Sequence, residues 1–492
     1  MVRMAAVAQV GDQARPAVST RPGRGEIIVA LAAFAVLCVV VLLAAPVLVE
    51  PDDYAYRASI VAMTNGHFLT LSAAAFRALE AQLSRLGSAA GPGGISVGPR
   101  GALPSIAQWV EVSNGRWISE KDPGYPFLAA PFQALGIIRL APLFYGALAC
   151  LGLFFGARRW LGRFGGATTV GLYCSSGAAL LFAWRDYMPT FTDASLLAAG
   201  TGALLWAILA SDASEARRTW IGLAGFVAIE AAAFSRYTDI VVLGCAVAAV
   251  LLVRWRRPEI LPHGALWWWL GSAVVFCAGV ALFDDLVYGG PLRSGYRPGE
   301  IQFSLSATGP NLRYMPAHLL QAMPVLMLGL AALVWMAARW ARLRHAPDGG
   351  PVRTDAAVGL ALAASWLAIW GLYAAYSWTA GPGLSTLQAA RFYVPAIGAI
   401  ALLGAWLVTR VASALPGGHV LQGGRAIPAL ACVAVVAALF GIGIWSFNDM
   451  RAFRLGSARI VRLHGPIPVK QRPPGAPSGI GGGPGQPPPG AP

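Results

Sequence analysis

Eleven long apolar stretches, parted by short polar ones, set the pattern of this chain. A helix crosses a bilayer with roughly 20 mostly apolar residues. On that measure the candidate spans are 27–49, 137–157, 164–183, 194–210, 219–235, 239–254, 265–285, 316–338, 356–376, 391–412 and 426–446. The first follows Arg3, Arg15, Arg21 and Arg24, as the core of a signal peptide would. Its apolar run is longer than such a peptide's, however, and many spans follow it. It reads as an uncleaved first helix behind a cytoplasmic segment, residues 1–26.

Alternating outward from that helix, the short connections 158–163, 211–218, 255–264, 339–355 and 413–425 fall on the cytoplasmic side. They carry Arg158, Arg159, Arg163, Arg217, Arg218, Arg256, Arg257, Arg339, Arg342, Arg344 and Arg353. Cations gathered in short loops on one side are the positive-inside pattern. The expected location is the cell membrane, crossed many times, with the longer loops 50–124, 286–315 and 377–390 on the outer face.

In the first outer loop Phe76, Leu79, Leu83 and Leu86 recur at spacings of three and four, with Arg77, Glu80 and Arg85 on other faces. That period predicts an amphipathic helix lying on the membrane surface. Residues 87–104 are rich in Gly and Pro and read as a mobile insertion. The end of the chain, 447–492, is basic and then Pro/Gly-rich. Residues 473–492 hold eight Pro and seven Gly, which predicts a disordered or polyproline-like outer tail. No internal repeat stands out. The expected fold is all-α: a bundle of about eleven transmembrane helices over 27–446, with amphipathic helices in the first outer loop.

Composition narrows the function classes. Hydrophobic residues make up 57% of the 492 and charged residues only 12%, about half the usual charged share. That excludes a soluble multi-domain protein, a disordered one and a nucleic-acid-binding one, although the net charge is +15. The six cysteines, Cys38, Cys150, Cys174, Cys245, Cys277 and Cys432, all lie inside apolar runs. They predict neither a disulfide framework nor a Cys-based metal site.

Polar groups are costly in a membrane protein and so tend to mark function. Here they gather at the outer ends of the spans. Pro51-Asp52-Asp53-Tyr54-Ala55-Tyr56-Arg57 follows the first span directly. An Asp there can cap a helix, or it can hold a general base at the membrane surface. Trp117-Ile118-Ser119-Glu120-Lys121-Asp122-Pro123-Gly124-Tyr125-Pro126 is either a polar turn or a place where Lys121 binds phosphate and Glu120 takes a metal or a hydrogen bond. Trp184-Arg185-Asp186-Tyr187 precedes Thr190-Phe191-Thr192-Asp193 at the mouth of the fourth span, where Thr192 or Asp193 equally serves as a cap.

In that order the three segments resemble the GT-C glycosyltransferases of the protein mannosyltransferase and lipid A aminoarabinose transferase type. Pro51-Asp52-Asp53 is similar to the family's Pro-Asp-Glu, and Glu120-Lys121 with Gly124-Tyr125 to its Glu-Lys-Pro…Gly-Tyr segment, interrupted by Asp122. Asp193 follows Lys121 at a similar spacing. Tyr288-Gly289-Gly290-Pro291-Leu292-Arg293-Ser294-Gly295-Tyr296 and Arg391-Phe392-Tyr393-Val394-Pro395 also look like segments of bacterial relatives. The resemblance covers roughly residues 27–412. The insertion in the first loop departs from it, and the family's metal-ligating His has no clear counterpart.

The resemblance implies a GT-C-like bundle that moves a sugar from a polyprenyl-phosphate donor to an acceptor on the outer face, with inversion. The acceptor class is an envelope glycan, lipid or protein. On that basis Asp52 is the expected base, with Asp53 as its alternative and Asp193 as a further catalytic carboxylate. Lys121 leads the expected phosphate and substrate ligands, followed by Arg236 and Arg57, with Glu120 and Tyr125 beside them. No cofactor is fixed, and a divalent metal ion stays open. Arg236-Tyr237 equally suits interface anchoring. Arg293, Arg297 and Arg313 with Tyr288, Tyr296 and Tyr314 suit either phosphate and sugar binding or a solvated loop. Glu230 is an isolated charge within a span, and His67 and His318 are lone outer histidines. The competing class is a transporter or lipid flippase, which would place its polar site near the bilayer midplane within repeats. A non-catalytic envelope scaffold is a third reading.

Overall fold

Apolar segments in lipid must satisfy every backbone N–H and C=O internally, and the helix does so within one segment. In the computed structural model, residues 22–46, 48, 51–68, 70–88, 106, 108–112, 115–296, 301–343, 350–379, 390–414 and 426–464 are described. The first 21 residues, most of the Gly/Pro-rich insertion and the Pro/Gly-rich end lie outside them. The chain opens with α1 (Arg24–Leu43) and α2 (Pro51–Thr64), then β1 (Leu71–Ser72), α3 (Ala73–Ser88), β2 (Trp109–Val112), β3 (Arg116–Ser119) and α4 (Gly124–Ala134). Helices follow without further strands: α5 (Ala141–Leu161), α6 (Gly165–Cys174), α7 (Gly177–Trp184), α8 (Thr190–Leu209), α9 (Glu215–Ser235), α10 (Ile240–Arg256) and α11 (Ala265–Tyr288). The last are α12 (Leu305–Ala322), α13 (Val325–Leu343), α14 (Gly350–Ala374), α15 (Ile397–Ser413) and α16 (Ala426–His464). This is an all-α multi-pass membrane protein with one small sheet.

Among the described residues, nine helices are long and apolar enough to cross a membrane, or ten if a bent pair is one span. Three of the expected eleven take a form other than one uninterrupted apolar helix. Segment 164–183 is the pair α6 and α7, bent by 61°. Segment 219–235 lies within α9, whose ends and middle carry Glu215, Arg217, Arg218 and Glu230, and α9 is not among the nine. Segment 316–338 straddles two helices, because Pro324 has no N–H to continue α12. The carbonyls freed at that break are not left bare: Ser446 Oγ donates to Gln321 O at 2.7 Å and Ser176 Oγ to Ala322 O at 3.3 Å.

Small residues decide which spans are central. α8 and α15 are the most buried of the candidate spans, while α11 is the least. α8 reads Ala-Ala-Gly-Thr-Gly-Ala in its middle, and at Gly202 an added Cβ would stand 2.2 Å from the Gly152 carbonyl carbon of α5. Backbones this close require glycine, and lipid-immersed helices associate through such contacts. α1 shows the other pattern: Ala33, Leu37 and Val41 are buried at a spacing of four, and Ile28, Leu31 and Leu43 face outward. Its C-terminal carbonyls are held from elsewhere. Arg139 Nη2 donates to Val41 O (3.1 Å) and Ala44 O (2.8 Å), and Trp184 Nε1 to Ala45 O (2.8 Å).

The region between α1 and α4 departs most from expectation. β1, β3 and β2 form an antiparallel sheet in that order, with Leu71 opposite Trp117 and Trp109 opposite Ser119. α3 is amphipathic as predicted, but its apolar face does not lie on the membrane surface. Leu79 and Leu83 are buried with Ala58, Val61, Leu71, Ile106 and Trp109, and Phe76 stacks on Trp117 with ring centres 4.0 Å apart. The apolar face is spent on α2 and the sheet. At the other end of the chain, α16 continues past the predicted span to His464.

Candidate active site

The site starts at α2. Pro51 opens the helix with a φ already suited to it, and Asp52 and Asp53 in the first turn face the positive end of its dipole. Neighbours on a helix point about 100° apart, so the two carboxylates serve different clusters. Asp52 Oδ1 lies 3.0 Å from Lys121 Nζ, and its Oδ2 2.6 Å from an Arg391 Nη. Asp53 Oδ2 pairs with Arg185 Nη2 at 2.8 Å, where both side chains are fully enclosed.

Lys121 sits on the turn from β3 to α4. Its Nζ also donates to Tyr296 Oη at 2.8 Å and stands 4.9 Å above that ring. The turn is anchored on both sides. Glu120 N donates to Gln108 O at 2.9 Å, and the Gln108 side chain in turn bonds Asp52. Gln108 has φ +55°, the left-handed region that residues other than Gly rarely adopt. Such strain persists only where surrounding contacts impose it. On the far side, Gly124 touches the end of α9: a Cβ there would meet the Phe234 carbonyl carbon and Ser235 N at 2.4 Å.

A second ion pair adjoins the first. Arg236, at the C-terminal end of α9, places Nε 3.1 Å from Asp193 Oδ2 of α8. It also donates to Thr190 Oγ1 (3.0 Å) and to the backbone carbonyl of Arg391 (3.1 Å). Asp122 accepts from Tyr237 N at 3.4 Å. Asp239 is completely buried close by, and neither of its carboxylate oxygens has a hydrogen-bond partner among the described residues.

The electrostatics separate these carboxylates. Burial pushes the Asp52 carboxyl up, but Arg391 and Lys121 outweigh it and hold it well below the usual range. For Lys121, burial pulls the ammonium down, while Asp52 and Tyr296 more than restore it. Burial lifts Asp122 to about 6 despite Lys121, and Asp186 to about 7 despite Arg139, whose Nε is 3.8 Å away. Burial likewise pushes Tyr296 up to about 12.

Lys121 borders a narrow open cleft, together with Ser119, His67, Trp109, Phe283 and Tyr288. Phe68 also lines the cleft, and with Phe283 and Tyr288 it belongs to a run of aromatic rings, Phe68, Phe127, Phe234, Phe283 and Tyr288, with successive centres 6.3, 5.9, 5.6 and 6.2 Å apart. The cleft therefore joins a buried cation to an apolar wall.

Of the residues singled out in the sequence, Asp52, Lys121, Asp193 and Arg236 converge. Three others do not join them. Asp53 is turned to Arg185. Arg57, five residues beyond Asp52 and so on another face of α2, bonds the Tyr187 side chain. Tyr125 is buried against Tyr56 and donates its hydroxyl to the Asp186 carbonyl. Glu120, next to Lys121 in the same turn, is buried. Arg391 and Tyr296 had been seen only as parts of longer segments, and each proves to touch an ion of the cluster. Among the described residues no three His, Cys, Asp or Glu side chains are placed to hold a metal ion.

No family model matches the chain, and no curated protein does. Among solved structures, it is similar to ArnT from Cupriavidus metallidurans in the apo state, with 16% identity over 88% of this chain and 75% of that one, TM-score 0.48. The same protein bound to undecaprenyl phosphate gives 17% identity over 88% and 73%, TM-score 0.43. The Archaeoglobus fulgidus oligosaccharyltransferase in complex with Zn and sulfate gives 14% identity over 85% of this chain and 53% of that one, TM-score 0.45. At these values no residue role passes from those proteins to this chain.

Proposed function

We propose that this protein is an integral membrane glycosyltransferase that moves a sugar from a polyprenyl-phosphate donor to an acceptor hydroxyl on the extracytoplasmic face. The observation that carries the reading is one cluster, Asp52 with Lys121 at 3.0 Å and Arg391 at 2.6 Å, at the helix ends beside a partly apolar cleft. It supplies a base and two cations where a lipid phosphate would arrive. The order of motifs along the chain supports the same class, and the arginine-rich loops support the orientation.

In the reaction, Asp52 takes the proton from the acceptor hydroxyl as its oxygen bonds to C1 of the sugar. The bond from C1 to the phosphate oxygen breaks, and its electron pair leaves with the polyprenyl phosphate. Lys121 and Arg391 hold that developing charge, which is where preorganised cations contribute most. A single displacement from the opposite face inverts the anomeric centre. Asp193 fixes Arg236, whose bond to the Arg391 carbonyl positions the second cation. The acceptor is an envelope glycan, lipid or protein.

The test is transfer from radiolabelled polyprenyl-phosphate sugars by purified protein. Asp52→Asn should slow transfer about a thousandfold, within the span of general-base effects. A wild type that transfers from no such donor yet carries a solute across liposomes would overturn the reading. Wild-type rates in Asp52→Asn would instead overturn only the choice of base.

A further inference from the structure

We infer that Arg391 and Lys121 form an interlock on Asp52, one that an incoming phosphate opens by competing for the same two cations. This inference rests on the function proposed above and concerns how the site is switched on. Both oxygens of Asp52 are engaged, Oδ1 by Lys121 and Oδ2 by Arg391, and the Arg391 contact is the shortest ion pair in the cluster. A carboxylate clamped between two cations is a weak base, because the ion pairs stabilise its charged form. The same two cations are the ones that would hold a lipid phosphate. They cannot give their best hydrogen bonds to both anions at once.

The exchange is plausible in geometry. Lys121 is among the residues that border the open cleft, and that is the side from which a phosphate would approach it. Arg391 is fixed at its backbone by Arg236 and rests its guanidinium 4.7 Å from the centre of the Phe392 ring. Its head can change partner while its base stays in place. When a phosphate oxygen takes a guanidinium N–H, Asp52 Oδ2 loses its shortest contact and gains an anion nearby. Both changes make Asp52 a stronger base, at the moment the donor is in position. No covalent bond forms or breaks in this step; one ion pair is exchanged for another. The other charged and titratable groups facing Asp52 are Tyr296, Tyr56 and, one layer away, Asp122 and Arg236, and none of them contacts its oxygens directly.

The test is binding of undecaprenyl phosphate to the full-length protein in nanodiscs, with undecaprenol as the uncharged control and inorganic phosphate as a second arm. An interlock predicts that Asp52→Asn binds undecaprenyl phosphate about tenfold more tightly, since a competitor for charged hydrogen bonds is gone, while undecaprenol is unaffected. Arg391→Gln should bind it about tenfold more weakly, and Arg391→Lys should recover part of that loss. If Asp52 only braces the two cations, its Asn variant binds more weakly instead. Equal or weaker binding by Asp52→Asn, with a wild type that binds, overturns the interlock and leaves the transferase reading standing. Should Asp52→Asn fail to fold, an Arg391→Gln variant that binds as well as wild type overturns it independently. Gain with inorganic phosphate alone keeps the interlock and overturns the lipid donor. A wild type that prefers undecaprenyl phosphate no more than undecaprenol overturns both.

Discussion

Each end of the bundle buries a carboxylate between cations, and the two surroundings differ. At the end where α14 begins, Asp355 meets Arg410 at 2.7 Å, Arg339 at 3.7 Å and Trp160 Nε1 at 3.0 Å. Glu26 on α1 likewise pairs with Arg158 (2.9 Å) and Arg163 (3.0 Å). These contacts join α5, α13, α14 and α15, and α1 to α5, with cations in excess. At the opposite end Asp52 has the same two-cation arrangement, but Asp122, Asp193 and Asp239 crowd the neighbourhood, a cleft opens beside Lys121, and Gln108 is strained. A latch closes all its contacts. A site keeps acceptors in reserve, a cavity and a residue held in a costly conformation.

The sharpest way to break this contrast is chemical. Asp52→Asn should remove about a thousandfold of transfer, measured with radiolabelled donor, whereas Asp355→Asn should leave transfer per folded molecule within about twofold. The next effect is on stability. Breaking a buried pair by removing one partner costs about 3–5 kcal/mol. Asp355→Asn and Asp53→Asn should both show that loss in denaturant unfolding from bicelles. An Asp53→Asn variant that folds normally and loses transfer as Asp52→Asn does would return Asp53 to the role of base. Lys121→Gln should slow transfer about a hundredfold, as expected of a lost electrostatic contact to the leaving group, and, since it removes one partner of the buried Asp52 pair, should also lower stability in the same unfolding measurement.

The smallest effect is a pH slope. Burial raises Asp186 to about 7, so the folded state binds a proton that the unfolded chain has already released above about pH 4. Stability should therefore fall as pH rises from about 4 to 7, by up to about 1.4 kcal/mol per unit. Asp186→Asn should flatten that slope when melting is followed across the range. Asp122 acts with the same sign up to about 6. Asp52 acts with the opposite sign: its depressed carboxyl contributes stability above its ordinary range that is lost on acidification.

Much of the bundle was legible because a hydrophobic run of span length has few other meanings. Its interior was not, because lipid-facing and protein-facing positions are equally apolar; small residues such as Gly152 and Gly202 carried that information instead. The break at Pro324 was hidden by hydropathy averaged over both flanks. The sheet escaped notice because its strands have only two to four residues. In the site, Asp52 and Lys121 stood out as charges beside spans, but Asp52 and Asp53 could not be told apart without the turn of α2. Arg391 lies far along the chain, and nothing local connects it to the first loop. Its signals were an arginine at the entrance of a span and a short segment that looks like those of bacterial relatives.

The tethering of the first helix has a consequence for how the molecule is made. α1 leaves the ribosome before the other helices described, yet the carbonyls at its end are satisfied by Arg139 just before α5 and Trp184 at the end of α7. A helix terminus carries acceptors that need partners, and these partners are translated about a hundred residues later or more. Until then the newborn helix has to keep that end in contact with water or lipid headgroups. Its depth in the bilayer is thus set provisionally at insertion and finally only when the third span is complete.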